Sequence, residues 1–122
     1  MNLAIQDKIH KIRSRKIILA EDLALLYGVT SRLFSKAVKQ HMDSLTGDGI
    51  ILLTDDEYYS IRPRLQARGK SHTPWAFTKH GVITLAGILK NEKLIRMDPD
   101  FTMRHFIILY HLHTEYAVWS AH

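Results

Sequence analysis

The 122-residue chain has no cysteine, only three prolines and only six glycines. Without cysteine, disulfide bonds and thiolate metal sites are excluded, which suits a chain in a reducing cytosol. Hydrophobic residues make up 46% of the chain, which excludes a disordered or low-complexity protein. The length favours one domain over residues 1–122, large enough to bury a core of its own.

Long hydrophobic runs are also missing. Residues 1–16 reach their basic side chains without a long apolar stretch, so the sequence predicts no signal peptide. No segment approaches the ~20 apolar residues of a membrane span. We therefore expect no membrane association and a cytoplasmic location.

The residue patterns of enzyme and metal sites are absent as well. The chain has no Gly-x-Ser-x-Gly elbow, no phosphate-binding Gly-x-x-x-x-Gly-Lys-Ser/Thr loop and no His-Glu-x-x-His pair. Three consecutive carboxylates, at 55–57, point in different directions, and Thr54 before them predicts a helix cap. We expect a non-enzymatic protein with no catalytic residues, no cofactor and no bound metal.

Negative charge is missing from one long stretch. Residues 58–91 contain no Asp or Glu, and the whole chain has a formal net charge of +5 with a pI of about 9.6. A basic chain favours a polyanion partner. Within this stretch, residues 62–72 predict an exposed loop, which is either simply solvated or a wing that holds DNA phosphate. The wing residues are Arg62, Arg64, Arg68 and Lys70.

Residues 22–40 have the pattern of a helix-turn-helix. Leu23, Leu26 and Tyr27 have helical spacing, and Gly28 then ends the first helix. Thr30 and Ser31 follow as candidate N-caps of the second helix. Its predicted buried face is Phe34, Ala37 and Val38. Its other face predicts DNA contacts by Arg32, Ser35, Lys36, Lys39 and Gln40, unless the unit is a helical corner with a solvated basic face.

The rest of the chain predicts a small β element among helices. Residues 17–19, 50–53 and 73–77 predict short extended segments, and residues 3–16 predict a helix that passes into extended chain. The basic side chains of residues 3–16 are either a solvated face or a phosphate-contacting arm. Thr78 predicts the cap of a helix through Lys90, in which Gly81 indicates close packing against another backbone.

A long C-terminal helix is predicted from about 99 to 119. Its apolar residues surround it on most sides, and a terminal helix in a small domain seldom finds that much cover within its own chain. The sequence therefore predicts a homodimer with this helix in a two-fold interface.

Two strings of residues resemble one protein family. They are Asp-Leu-Ala-Leu-Leu-Tyr-Gly-Val, at 22–29, and Pro-Trp-Ala-Phe-Thr-Lys-His-Gly-Val, at 74–82. Together with Met-Arg-His-Phe, at 103–106, they resemble the phage ORF-six N-terminal domain family, a relative of the KilA-N and Bro-N domains. The resemblance covers about residues 12–110.

What the resemblance implies is an α+β, KilA-N-like domain that contains a helix-turn-helix and binds double-stranded DNA, carried by phages and prophages. The expected role is a transcriptional regulator or an antirepressor-like factor. The chain departs from the family pattern at Phe34-Ser35 and at Lys79-His80, so the family's sequence preference is not carried over. The alternative is a protein-interaction module that binds a phage or host protein, such as a repressor or a defence component.

Overall fold

The computed structural model describes residues 4–63 and 74–113. A short 3-10 helix, Ile5–Lys8, leads into β1 (Ile9–Ile12) and β2 (Arg15–Leu19). Helices α1 (Ala20–Tyr27), α2 (Ser31–Gln40) and α3 (Met42–Leu45) follow. Next come β3 (Ile50–Leu52), α4 (Asp55–Ile61) and β4 (Trp75–Phe77), and then α5 (Lys79–Asn91) and α6 (Pro99–Leu112). The predicted α+β class is confirmed.

The four strands form one antiparallel sheet in the order β1-β2-β4-β3. Strands β1 and β2 form a hairpin whose two turn residues, Arg13 and Ser14, both have positive φ. That geometry is typical of a two-residue type I′ turn, which matches the right-handed twist of the strands. The extended chain predicted before residue 17 is therefore half of a hairpin.

The sheet separates two hydrophobic clusters. On one face, Ile18 and Phe77 pack with residues from α1, α2, α5 and α6. On the other face, Ile17 and Leu19 pack with Tyr58 of α4. Alternate side chains of a strand point to opposite faces, so the apolar run at residues 17–19 is buried on both sides. The helical layer that contains α1 and α2 thus lies on a single face of the sheet.

The helix starts follow the local chemistry that the sequence predicts. Thr30, Thr54 and Thr78 each accept a hydrogen bond from the backbone N–H three residues later. The Glu57 carboxylate in turn accepts a hydrogen bond from the backbone N–H of Thr54, which completes a capping box at α4. Helix α6 is confirmed as far as Leu112, and the predicted continuation to 119 lies outside the described residues.

Glu57 also joins the hairpin to α4. The guanidinium of Arg13 donates two hydrogen bonds of 2.7 Å to the Glu57 carboxylate. The hydrogen bonds from Arg13, and the one from the Thr54 backbone N–H, lower the pKa of Glu57 from 4.5 to about 2. A carboxylate with a depressed pKa stabilises the fold above its unfolded pKa, and the stabilisation is lost as the pH falls through the folded pKa.

Acidification between about pH 4.5 and pH 2 is therefore expected to remove part of the stability, since Glu57 takes up its proton in this range only on unfolding. Glu57→Gln should lower the free energy of unfolding near neutral pH and make it depend less on pH within this range. Urea unfolding at a series of pH values measures both effects. Equal pH dependence in the two proteins would contradict the assignment.

Candidate nucleic-acid interface

The turn between α1 and α2 fixes the direction of α2. Gly28 has a φ of 70°, in the left-handed region that favours glycine, and its N–H bonds back to α1. The N–H of Val29 donates to the carbonyl of Ala24, and the Val29 side chain is buried. Thr30 then caps α2 by accepting a bond of 3.3 Å from the N–H of Leu33. These contacts confirm the predicted helix, turn and second helix.

The inner face of α2 anchors the helix in the core. Phe34, Ala37 and Val38 are all buried, as their spacing predicts. The Phe34 ring meets the ring of Phe77 edge to face, with centroids 5.9 Å apart. At the C-terminal end, Nε2 of His41 lies 2.5 Å from a carboxylate oxygen of Glu92, at the end of α5. Helix α2 is thus fixed at both ends and along one side.

The outer face of α2 carries the predicted DNA-contacting residues. Arg32, Lys36, Lys39 and Gln40 are exposed, and Ser35 is half-buried. Within residues 4–63 and 74–113, none of these five side chains forms a hydrogen bond or an ion pair. Helix α2 therefore presents three cations and an amide to solvent with their polar atoms free.

Most other arginines in the described ranges are engaged within the fold. Arg13 binds Glu57, and Arg15 donates to the carbonyl of Asp48. Arg62 binds Asp22 and Glu21, and Arg104 donates to the carbonyl of Leu26. Arg32 has no such internal partner within the same ranges. Its guanidinium is therefore available to an external acceptor.

An apolar residue also lies on the exposed surface of α2, and it was not among the predicted site residues. Leu33 is 43% exposed next to Arg32. The signal was in the periodicity, because Leu33 falls outside the buried stripe of Phe34, Ala37 and Val38. Apolar side chains in the major groove contact the methyl group of thymine.

The predicted wing lies mostly beyond the described ranges. Arg64, Arg68 and Lys70 fall outside the described residues. Arg62 is described, at the end of α4, and Nη2 of its guanidinium lies 3.1 and 3.0 Å from the two carboxylate oxygens of Asp22. Its Nη1 lies 3.1 Å from the carboxylate of Glu21. Arg62 therefore ties α4 to α1 at the point where the chain enters the predicted wing.

The basic side chains of the hairpin have mixed surroundings. Lys11 and Lys16 lie opposite each other on β1 and β2. Lys16 donates to the backbone carbonyl of His113, at the end of α6, and Nζ of Lys79 lies 3.0 Å from Nδ1 of the same histidine. Lysines near the last carbonyls of a helix complement its dipole. Lys16 and Lys79 thus hold the end of α6, while Lys11 is exposed.

Comparison with known proteins identifies the fold family. Residues 7–88 match the ORF6N domain. The chain belongs to the ORF6N domain family. No curated protein and no solved structure gives a significant match. The expected phage-related family is thereby confirmed.

In this ORF6N domain, the matched residues include the whole sheet, α1, α2 and most of α5, and α6 follows them. Helix α6 nevertheless braces α1. Arg104 Nε donates a bond of 2.8 Å to the carbonyl of Leu26, and the Tyr27 hydroxyl lies 2.6 Å from Nδ1 of His105. Burial raises the pKa of Tyr27 and lowers that of His105, so burial disfavours the charged form of both side chains in this contact.

Within the described ranges, no three His, Cys, Asp or Glu residues are placed so that they could hold a metal ion. No helix in those same ranges is long and apolar enough to span a bilayer.

Proposed function

We propose that the protein is a non-enzymatic DNA-binding protein of phage or prophage origin, acting in the host cytoplasm as a transcriptional regulator or antirepressor-like factor. Helix α2 is the element that enters the major groove. The observation that carries the proposal is the free basic face of α2, in a fold that engages most of its other described arginines internally. Membership of a phage-related domain family supports the same conclusion.

The dimensions and chemistry of α2 suit this role. An α-helix with its side chains is about 10–12 Å across, and the major groove of B-DNA is about 12 Å wide. Arg32 has the geometry for a bidentate bond to guanine, and Gln40 has that for adenine. Lys36 and Lys39 serve as phosphate contacts, and Ser35 can bond either to bases or to phosphate. In this proposal, the outer face of α2 both reads the base sequence of the DNA and supplies the positive charge that attracts the phosphates.

In this proposal the wing has a divided role. Arg62 is bound to Asp22 and Glu21, so it anchors the wing, while Arg64, Arg68 and Lys70 contact phosphate. Phosphate contacts fix the position of a protein on DNA without specifying sequence. Loss of a wing residue should therefore weaken binding to all duplexes alike.

The proposal predicts that the double variant Arg32→Glu/Lys36→Glu loses duplex binding. Both side chains are exposed and have no partner in the described ranges, so the fold should be retained. Fluorescence anisotropy with a labelled random duplex at low salt measures the affinity. We expect the affinity to fall by at least about 100-fold. The variant removes a base contact and a phosphate contact, and it places two negative charges next to the DNA backbone.

A matched control separates the α2 face from net charge alone. Lys11→Glu/Arg96→Glu makes the same change of formal charge at two exposed positions outside α2. It should bind the duplex within about tenfold of the unmodified protein, a difference that general electrostatic attraction accounts for. Equal loss in both variants would contradict a role for α2. Retained binding in the α2 variant would do the same.

A further inference from the structure

Helix α6 has a second apolar face, opposite to its core face. Phe101, Ile108 and Leu112 are buried against the rest of the fold. On the outward side, Met103 and Phe106 are each 62% exposed, and Tyr110 is 76% exposed. Single exposed apolar residues are ordinary, but a contiguous exposed apolar patch marks an interaction site.

The spacing of these residues favours another helix as the occupant. Met103, Phe106 and Tyr110 are separated by three and then four residues. This is the 3-4 spacing by which two helices pack along a common seam. Residues three and four apart lie next to each other on a helix, so no charged side chain interrupts the row. Ile107, on the flank of the row, is half-buried and widens the apolar surface.

The charges beside the row favour a second copy of the same chain, packed antiparallel. Asp98 and Asp100 lie at the start of the helix, while His111 and His113 lie at its end. A parallel copy would bring the Asp100 carboxylates of the two chains together. An antiparallel copy places the Asp100 carboxylate of one helix near the partner's His111, whose ring N–H can donate a hydrogen bond to it, and it also opposes the two helix dipoles favourably. A two-fold interface is self-complementary in this way.

The available area suits an association that depends on concentration. At the exposures given above, the three side chains expose on the order of 400 Å² together, since a large aromatic side chain can bury about 150–250 Å². A standard interface buries about 800 Å² on each partner. The apolar row thus supplies roughly half of a standard interface, and the flanks must supply the rest. A dimer that dissociates on dilution is the expected result.

We propose that the outward face of α6, formed by Met103, Phe106, Ile107 and Tyr110, is the seam of an antiparallel homodimer of this chain. This inference does not rest on DNA binding. The seam nevertheless bears on DNA binding, because other sides of α6 contact α1 through Arg104, His105 and Phe101. The seam therefore sets the separation of the two α2 helices in the dimer.

Sedimentation equilibrium of the full chain tests the seam. The unmodified protein should shift with concentration from the mass of one chain, 14.1 kDa, to twice that mass. Phe106→Glu should remain at the mass of one chain throughout, with an unchanged circular dichroism spectrum. Leu52→Glu is the matched control, since Leu52 is 64% exposed on an edge strand, and it should dimerise like the unmodified chain.

The absence of cysteine allows a test of orientation. In an antiparallel seam, Met103→Cys in one chain approaches Tyr110→Cys in the other, but neither approaches its own copy. A disulfide requires Cα atoms within about 7 Å. Oxidation of a mixture of the two variants should therefore yield the mixed cross-linked dimer, and each variant alone should yield little.

Two results would overturn the proposal outright. One is a single-chain mass for the unmodified protein at every concentration up to hundreds of micromolar. The other is dimerisation of Phe106→Glu equal to that of Leu52→Glu. Efficient cross-linking of each cysteine variant with itself would overturn the antiparallel arrangement. Since none of these measurements includes DNA, their outcome is independent of the duplex-binding test.

Discussion

Gly81→Ala is expected to destabilise the fold by about 3 kcal/mol, whereas Gly87→Ala in the same helix should stabilise it by about 0.5–1 kcal/mol. A Cβ atom at Gly81 would overlap the backbone carbonyl of Gly49, which cannot rotate away as a side chain can. Around Gly87, apart from its chain neighbours and the backbone of its own helix, no atom lies within 4 Å of the position that a Cβ would take. Glycine-to-alanine substitution is therefore expected to lower the stability at position 81 and to raise it at position 87 of the same helix.

The reason for the close contact at Gly81 is the junction between β3, β4 and α5. The carbonyl of Gly49 accepts a bond of 3.1 Å from the N–H of Thr78, the residue that caps α5. The Thr78 hydroxyl also donates to the carbonyl of Asp48. These bonds hold the two backbones together at the first turn of α5, and only glycine at position 81 permits that distance.

Urea unfolding of the three proteins measures both effects. The midpoint should fall for Gly81→Ala and rise for Gly87→Ala, with little change in the slope of free energy against denaturant. Gly81 is not part of the proposed DNA-contacting face, so any loss of binding in Gly81→Ala should follow the loss of folded protein. A midpoint for Gly81→Ala at or above that of the unmodified chain would contradict the backbone contact.

Arg62→Met should cost about 3 kcal/mol, the second large effect. Only 4% of Asp22 is exposed, and Arg62 supplies both of its hydrogen bonds. Removing one partner of a buried ion pair leaves an uncompensated charge, which costs about 3–5 kcal/mol. Because the Arg62 side chain is 29% exposed and Lys8 Nζ remains 3.9 Å from Asp22, the lower end of that range applies.

Arg13→Met provides the control for this prediction. Arg13 also binds a carboxylate with two hydrogen bonds, but its partner Glu57 lies at the surface. Exposed ion pairs are screened by water and salt, so the loss in this variant should be much smaller. Equal destabilisation of the two variants in urea would show that burial of Asp22 does not decide the cost.

The local chemistry of the chain predicts its helical core well. Gly28, Thr30 and Thr78 act on neighbours within a few residues, so their roles as helix stop and helix caps can be predicted from the sequence. The β1–β2 hairpin was predicted only as extended chain, because its turn residues, Arg13 and Ser14, are not the Asn-Gly type that signals a tight turn.

The site depends on partners that are distant in sequence. Periodicity predicts which residues of α2 face outward, and Arg32 and Lys36 are exposed as expected. It does not predict that Arg62 is bound by Asp22, which lies 40 residues earlier in the chain. A basic residue that the sequence predicts to contact DNA is therefore available only when the tertiary fold gives it no carboxylate partner. Arg32 meets this condition within the described residues, and Arg62 does not.

The salt dependence of duplex binding tests the central claim most directly. If a dimer neutralises about 6 to 8 phosphates, the logarithm of the association constant should fall against the logarithm of salt concentration with a slope near −5 to −7. Anisotropy titrations of the unmodified chain with a random duplex, at several salt concentrations, measure this slope. Micromolar binding at low salt with a slope in this range is the predicted result. No binding at low salt, or an affinity that does not change with salt, would contradict DNA binding by α2.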